Sequence, residues 1–345
     1  MKILGLESSC DETAAAVVEN GTHVLSNVVA SQIDIFAEYG GVIPEIAARS
    51  HLEAVLPVID KALKDANETL DTIDAIAVTH TPGLLGSLLV GTLTARTLAL
   101  LHEKPLYAVH HLKSHVYANW LYTKYDIKFP VLALVISGGH TQILSMPSHN
   151  SFEIIGTTKD DAIGECFDKV AKILGFPYPG GPEISKHAEN GDPEKYPLPI
   201  PKVAGLDFSF SGLKTAVIRK AQSIANLPIS YPSHDIKNHL TPEQKNDLAA
   251  SFESTAVKIL LEKLDAALPS CLYSSIIIAG GVSANSLLRK TLGKTYKNLP
   301  VYFPDPKFSG DNGAMVASAA FFEIESGVKP TNPYSLTISP RSAIS

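Results

Sequence analysis

Residues 3–18, ILGLESSCDETAAAVV, and residues 131–146, VLALVISGGHTQILSM, have the same shape. Each is an apolar run broken by small polar or glycine residues and resumed by a second apolar run, the pattern of a β-hairpin with a tight turn. A hairpin met twice in one chain predicts two like halves facing each other across a cleft. Turns of this kind, one from each half, present backbone N–H groups that can hold a phosphate chain between them. These two stretches alone point to a nucleotide-handling protein.

At 345 residues the chain exceeds most single domains, and two domains are the natural prior. A 45% hydrophobic content beside 19% charged residues predicts sizeable cores rather than extended disorder. The formal net charge of -6 does not advertise nucleic-acid binding, although a local basic patch can still steer RNA. Cys10, Cys166 and Cys271 are far apart and form no CxxC pair, which fits a reducing compartment and offers no sulfur-based metal site. The opening MKILGLESSCDET lacks the pattern of a secretory signal. The apolar stretch 84–101 is broken by Gly86, Gly91, Arg96 and several hydroxyl residues, so no membrane span is expected and the protein reads as cytoplasmic.

In the first half, apolar residues at helical spacing predict a helix over 44–67. IDAIAVTH (73–80) reads as a buried strand, followed by a glycine-bearing helix within 81–102 and a short strand, PLYAVH. This alternation implies a largely parallel, covered sheet. Gly83, Gly86 and Gly91 on one small-residue face suit close packing inside the molecule or docking of a partner, with equal weight. The second half opens near Phe129-Pro130, carries a helix around 161–174, and makes a polar, turn-rich excursion over 222–247. Near the end, FSGDNGAMVASAAFFEI reads as a loop capped by Asp311 or Asn312 that opens a final helix. The expected division is 1–128, 129–325 and a tail over 326–345, with the last helix packing back on the first domain.

His111 and His115 are the best metal candidates, since residues four apart on a helix share a face; the alternative is a surface or capping pair. Leu112 stands where a zinc protease has its catalytic glutamate, so no general base is built into this helix. Asp311 is the strongest third ligand, with a plain helix cap as its other reading. IAGGVSAN (278–285) is a strand ending in a Gly-Gly turn, with Asn285 placed to bond a base or ribose. YPGGP (178–182) and VISGGH (135–140) are two more such turns in the same half, and each costs backbone entropy without adding a packed side chain. Glu7, Asp11 and Glu12 surround the first turn, Asp160 and Asp161 precede a helix, and Asp168 lies within it. His140, just after the second turn, is a candidate proton shuttle or phosphate ligand.

ESSCDET (7–13), HHLKSH (110–115), SGGHT (137–141), FDKVAKILG (167–175), YPGGP (178–182), LDFSFSGLKT (206–215), AGGVSAN (279–285) and DNGAM (311–315) follow one another in a known order. Together they resemble the tRNA adenosine threonylcarbamoyltransferases over roughly residues 1–325. The resemblance implies an α/β chain with the duplicated actin-like ATPase fold shared by sugar kinases, Hsp70 and actin, two domains around a nucleotide cleft. It implies one divalent metal on His111, His115 and Asp311, iron(II) favoured and zinc(II) the alternative. It implies substrate-binding positions at Val135, Ile136, Ser137, Gly138, Gly139, Asp168, Gly181 and Asn285. Some members carry Asp in a GGPxxD pattern where this chain has Ser185, which leaves one ribose contact in question.

The activity implied is transfer of a threonylcarbamoyl group from threonylcarbamoyl-adenylate, made by a separate synthase, to the exocyclic amine of an adenosine beside the tRNA anticodon. ATP is the other nucleotide ligand to consider, and Asp11, Glu12 and His140 are the candidates for taking the amine proton. With an acidic chain, much of the RNA grip is expected from partners, in bacterial relatives a smaller actin-like paralogue and a P-loop ATPase. The helix at 83–101 is the expected paralogue-facing surface. The rival readings are a metalloprotease, a sugar or acetate kinase on the same fold, and an ATP-binding scaffold without turnover. The missing protease glutamate argues against the first, and two metal-binding histidines have no use in the second.

Overall fold

The computed structural model describes residues 1–122 and 125–344, so residue 345 of the expected tail lies outside the described residues. The chain divides into two compact units: Met1–Phe129 with Met146–Glu153 and Tyr302–Ser345, and Pro130–Ser145 with Ile154–Val301.

The first unit begins with β1 (Lys2–Glu7), β2 (Glu12–Glu19) and β3 (His23–Ser31), then α1 (Ile33–Tyr39) and α2 (Pro44–Asp65). It continues through β4 (Ala75–Thr81), α3 (Leu85–Leu101), β5 (Leu106–His110) and α4 (His111–Tyr117). The sheet order is β3-β2-β1-β4-β5, with β1 antiparallel to β2 and parallel to β4, and β4 parallel to β5. Strand alternation sorts the residues of β1 and β2 onto two faces. Leu4, Leu6, Ala15 and Val17 join Val55, Val58, Ile59 and Ala95 of α2 and α3 in one core. On the other face lies α10 (Gly313–Glu325), the last helix. A Cβ on Gly313 would stand 2.5 Å from the Ala16 nitrogen, so only glycine lets this helix approach the strands. After α10 the chain runs back along the β4 and β5 ends: Thr331 N donates to Leu106 O, Thr81 Oγ1 to Ser339 O, and His110 Nε2 to Ser342 O.

The second unit repeats this plan. β6 (Val131–Ile136), β7 (Thr141–Ser148) and β8 (Ser151–Thr157), of which Met146–Glu153 group with the first unit, lead to α5 (Ile163–Leu174), α6 (Gly180–Ala188), α7 (Ser211–Ile224) and α8 (Pro242–Ala267). β9 (Ser275–Ala279), α9 (Ser286–Thr295) and β10 (Val301–Tyr302) complete it. The order β8-β7-β6-β9-β10 is that of the first sheet, with the hairpin strands and the parallel neighbour in corresponding places. Every residue of β6 and β9 is buried, which explains their unbroken apolar runs. The predicted excursion over 222–247 is shorter than expected. α7 runs to Ile224, and a capping box of Thr241 and Gln244 with Pro242 in the first turn starts α8 inside that range. What remains is tied down by Gln222 Nε2, which donates to Ile229 O and Tyr231 O.

Among the described residues no helix is long and apolar enough to cross a membrane.

Candidate functional site

α4 starts directly after β5, and the two histidines one turn apart share its inner face. Their ring centroids lie 4.6 Å apart. Asp311 Oδ1 stands 3.2 Å from His115 Nε2 and 3.7 Å from His111 Nε2, and the three donor atoms fall within 4.8 Å of one another. Asp311 is available for this because Asn312, not Asp311, caps α10: the Asn312 side chain accepts from Met315 N at 2.9 Å.

His115 is 1% exposed, yet neither of its ring nitrogens makes a hydrogen bond among the described residues, so the 3.2 Å approach to Asp311 lacks hydrogen-bond direction. A buried imidazole left unsatisfied costs about 1–3 kcal/mol. A cation bound to Nε2 would remove the part of that cost that falls on Nε2, and two imidazole nitrogens with a carboxylate oxygen are a donor set suited to iron or zinc.

Glu7, in the sequence only an acid near a turn, completes the arrangement. Its carboxylate, 1% exposed at the end of β1, lies 3.1 Å from His111 Nδ1 and accepts from Thr79 Oγ1 and Ser9 N, both at 2.6 Å. Burial would raise the Glu7 carboxyl, but the imidazole of His111 against it holds it below its ordinary value. For His111, burial is outweighed by the charges of Asp311 and Glu7, which push it up to about 9. The pair therefore draws positive charge, and Glu7 orients His111 with Nε2 turned to Asp311, the way a carboxylate behind a metal-binding histidine does. A strand of apolar residues ending in an acid was the available signal.

The turn after β1 is held from behind by His51, which is wholly buried. Its Nε2 donates to Cys10 O at 3.0 Å and its Nδ1 accepts from Thr13 Oγ1 at 2.7 Å. Asp11 lies on this turn and is buried; Glu12 follows at the start of β2. Burial, with Asp311, Asp11 and Glu7 around it, pushes the Glu12 carboxyl up to about 10. His110, beside the metal candidates, faces elsewhere: burial lowers it to about 3, its Nδ1 accepts from Leu112 N, and it caps α4.

The second unit holds a cavity of about 450 Å³. Gly138, Asp168, Gly181, Ser185 and Asn285 all line it, brought together from the β6–β7 turn, α5, α6 and the start of α9. Val135, Ile136, Ser137 and Gly139 do not. Val135 and Ile136 are wholly buried within β6, and Ser137 closes the turn, its N–H donating to His140 O at 2.9 Å. His140 completes that turn, its own N–H donating to Ser137 Oγ.

The glycines of the motifs divide into two kinds. A Cβ on Gly180 would crowd Ala171 Cβ and Asp168 Cα at 2.6 Å, and one on Gly280 would run into Ile136 O, at a φ of +87°. On Gly138, Gly139, Gly181 and Gly281 a Cβ would meet nothing within 4 Å. The first kind packs the walls; Gly138, Gly181 and Gly281 of the second keep the cavity open. Asp168 Oδ1 accepts from Gly180 N at 2.7 Å, which fixes α6 on α5.

The chain is similar to known proteins over most of its length. The family model described as tRNA N6-adenosine threonylcarbamoyltransferase matches residues 23–318. A protein of that name from Symbiobacterium thermophilum is 48% identical over 330 residues, 95% of this chain and 93% of its own. Among solved structures, the HypF protein of T. kodakarensis aligns with a TM-score of 0.60 at 15% identity, over 94% of this chain and 48% of its own. Component A of the Acidaminococcus fermentans (R)-2-hydroxyglutaryl-CoA dehydratase aligns at 0.52 and 11% identity, over 94% and 99%. These two share the fold, which is the actin-like ATPase and sugar-kinase arrangement, and at such identity nothing more is read from them. Match length and identity together place the chain in the family of tRNA N6-adenosine threonylcarbamoyltransferases, which are acyltransferases.

Proposed function

We propose that this chain moves the threonylcarbamoyl group of threonylcarbamoyl-adenylate onto the N6 amine of adenosine 37 in tRNAs that read ANN codons, with release of AMP. The observation that supports it most is the convergence of Gly138, Asp168, Gly181, Ser185 and Asn285, distant in sequence, on one cavity. In this reading the cavity takes the adenylate, or ATP, and its open glycines let backbone approach the ligand closely.

His111, His115 and Asp311 would hold the metal, with Glu7 orienting His111. When bound, a divalent cation, iron(II) in preference to zinc(II), supplies Lewis acidity for a carbonyl group. The attacking amine must lose a proton, and Asp11, Glu12 and His140 are the candidates to take it. Glu12 can take that proton at neutral pH only where its burial, and then the carboxylates of Asp311, Asp11 and Glu7 around it, no longer hold it up at about 10. The acceptor base lies in an anticodon loop, where single-stranded RNA presents it without melting a duplex.

The same reading places the enzyme in the cytoplasm, supplied by a separate synthase and assisted by a P-loop ATPase and a smaller actin-like paralogue. The groove between α2 and α3 is the surface assigned to the paralogue: Leu52, Leu56, Leu89 and Leu93 line it and are exposed.

The test is the transfer itself. The purified chain, with threonylcarbamoyl-adenylate, unmodified tRNA and the partner proteins, should yield threonylcarbamoyladenosine on nucleoside mass spectrometry, and His111→Ala should not. Absence of product with all partners present overturns the reading in favour of a kinase or a nucleotide-binding scaffold.

A further inference from the structure

Three successive carbonyls of the turn after β1 are held by groups from outside the hairpin. Ser9 O accepts from Leu84 N at 2.7 Å, and Asp11 O accepts from Gln32 N at 3.1 Å. Between them Cys10 O accepts twice, from His51 Nε2 of α2 at 3.0 Å and from Ser87 Oγ of α3 at 3.2 Å. The turn so held passes close to the metal-ligand candidates, since Ser9 Oγ lies 3.2 Å from His111 Nδ1. Asp11 follows two residues later, and Glu12 after it.

His51 has one way to make its contacts. Burial holds its imidazole below the ordinary value, against the charges of Glu7 and Asp11, so the ring stays neutral with a single N–H. A carbonyl oxygen can only accept, which puts that hydrogen on Nε2 and leaves Nδ1 to take the Thr13 hydroxyl at 2.7 Å. The ring therefore ties together the two residues that flank Asp11 and Glu12. Both ends are fixed, because His51 is wholly buried and Thr13 is 1% exposed. The backbone between Cys10 and Thr13 cannot shift without breaking a buried hydrogen bond.

We propose that His51 is a positioning residue for the transfer: with Ser87 it holds Cys10 O, and so fixes the turn with the carboxyl groups of Asp11 and Glu12 directed at the centre formed by His111, His115 and Asp311. The proposal rests on reading Asp11 or Glu12 as the acceptor of the amine proton. A misplacement of about 1 Å at a reacting group costs about 100-fold in rate, and a group used only in the transition state shows its loss in kcat.

Steady-state transfer to unmodified tRNA by the metal-loaded full chain with the partner proteins tests it, beside metal content and thermal unfolding. His51→Leu, which fills the space and donates nothing, should lower kcat about 100-fold, with KM for threonylcarbamoyl-adenylate and metal content unchanged. His51→Gln sets an amide N–H where Nε2 stands and should stay within about tenfold of the parent. His51→Asn reaches only as far as Nδ1 and should resemble His51→Leu. Ser87→Ala, which removes the second donor to Cys10 O, should lower kcat about tenfold. An unchanged kcat in His51→Leu, equal rates in the Gln and Asn variants, or a loss carried by KM or by metal content overturns the role of His51. If His51→Leu shows no cooperative unfolding, the Gln and Asn pair decides by the same criterion. Full transfer in both Asp11→Asn and Glu12→Gln overturns instead the reading of these carboxyls as proton acceptors, and this proposal with it.

Discussion

The two hairpin turns occupy equivalent places in two sheets of the same strand order, and they are built from opposite materials. In the first unit the turn after β1 is packed with side chains. Ser8 Oγ donates to Ser87 O, Ser9 Oγ lies 3.2 Å from His111 Nδ1, and Glu7 takes the Ser9 amide. In the second unit the corresponding turn has Gly138 and Gly139, whose missing side chains leave open space. One turn uses its side chains to hold an imidazole and a charge; the other withholds them to leave room. The backbone plan is therefore a frame that fixes where a turn sits, while the residues on it decide whether the place becomes a charged centre or a pocket.

The contrast can be broken most forcefully at His115. His115→Ala should abolish metal content, read by mass spectrometry of the purified protein, and cut transfer on the order of 1,000-fold. ADP binding by the second unit should be unchanged, and a loss there would show that the two sites are not independent. Glu7→Gln is the finer version. It keeps the shape behind His111 but not the charge, and should weaken metal affinity about 10–100-fold without eliminating it.

The glycines sharpen the comparison from the other side. Gly280→Ala must adopt a φ of +87° and meet Ile136 O, and should cost about 3 kcal/mol in thermal unfolding. Its neighbour Gly281→Ala meets nothing, should leave stability nearly unchanged, and should weaken ADP about tenfold by filling the cavity. Equal effects of the two would contradict the division into packing and open glycines.

The last effect depends on pH and concerns how much charge the first unit tolerates inside. Glu323 of α10 is pushed up to about 7 by burial, against the opposing charge of Lys113. Between its unfolded value of 4.5 and about 7, the folded chain keeps a proton that the unfolded chain has released, so stability falls as pH rises through that window and is level above it. Glu323→Gln should remove the slope, with no gain at pH 4 and about 3 kcal/mol at pH 8, measured as a difference in unfolding temperature.

What could be read in the chain beforehand was what repeats at short range. The two hairpins follow from alternating apolar runs, and the shared face of His111 and His115 from their spacing of four. Glu7 and His51 could not be read this way, because each acts on a partner far along the chain: Glu7 on His111, His51 on Cys10 and Thr13. Nor could the choice between Asp311 and Asn312 as helix cap, since both residues cap equally well in isolation and only the folded loop shows which one turns inward. The span 222–247 reads as longer irregular chain than it is for a related reason. Its polar composition resembles a loop, but Thr241, Pro242 and Gln244 are the start signals of a long helix.

Asp311 also bears on how the molecule is made. A ribosome releases the chain from its amino end, so both histidines emerge while the residue that faces them is still untranslated. A polypeptide that stops short of the last helix has two imidazoles and the carboxylate behind them but no Asp311 to complete the set. On the proposed reading of His111, His115 and Asp311 as metal ligands, cation capture would mark finished synthesis, reserved for molecules whose far end has returned to the first sheet.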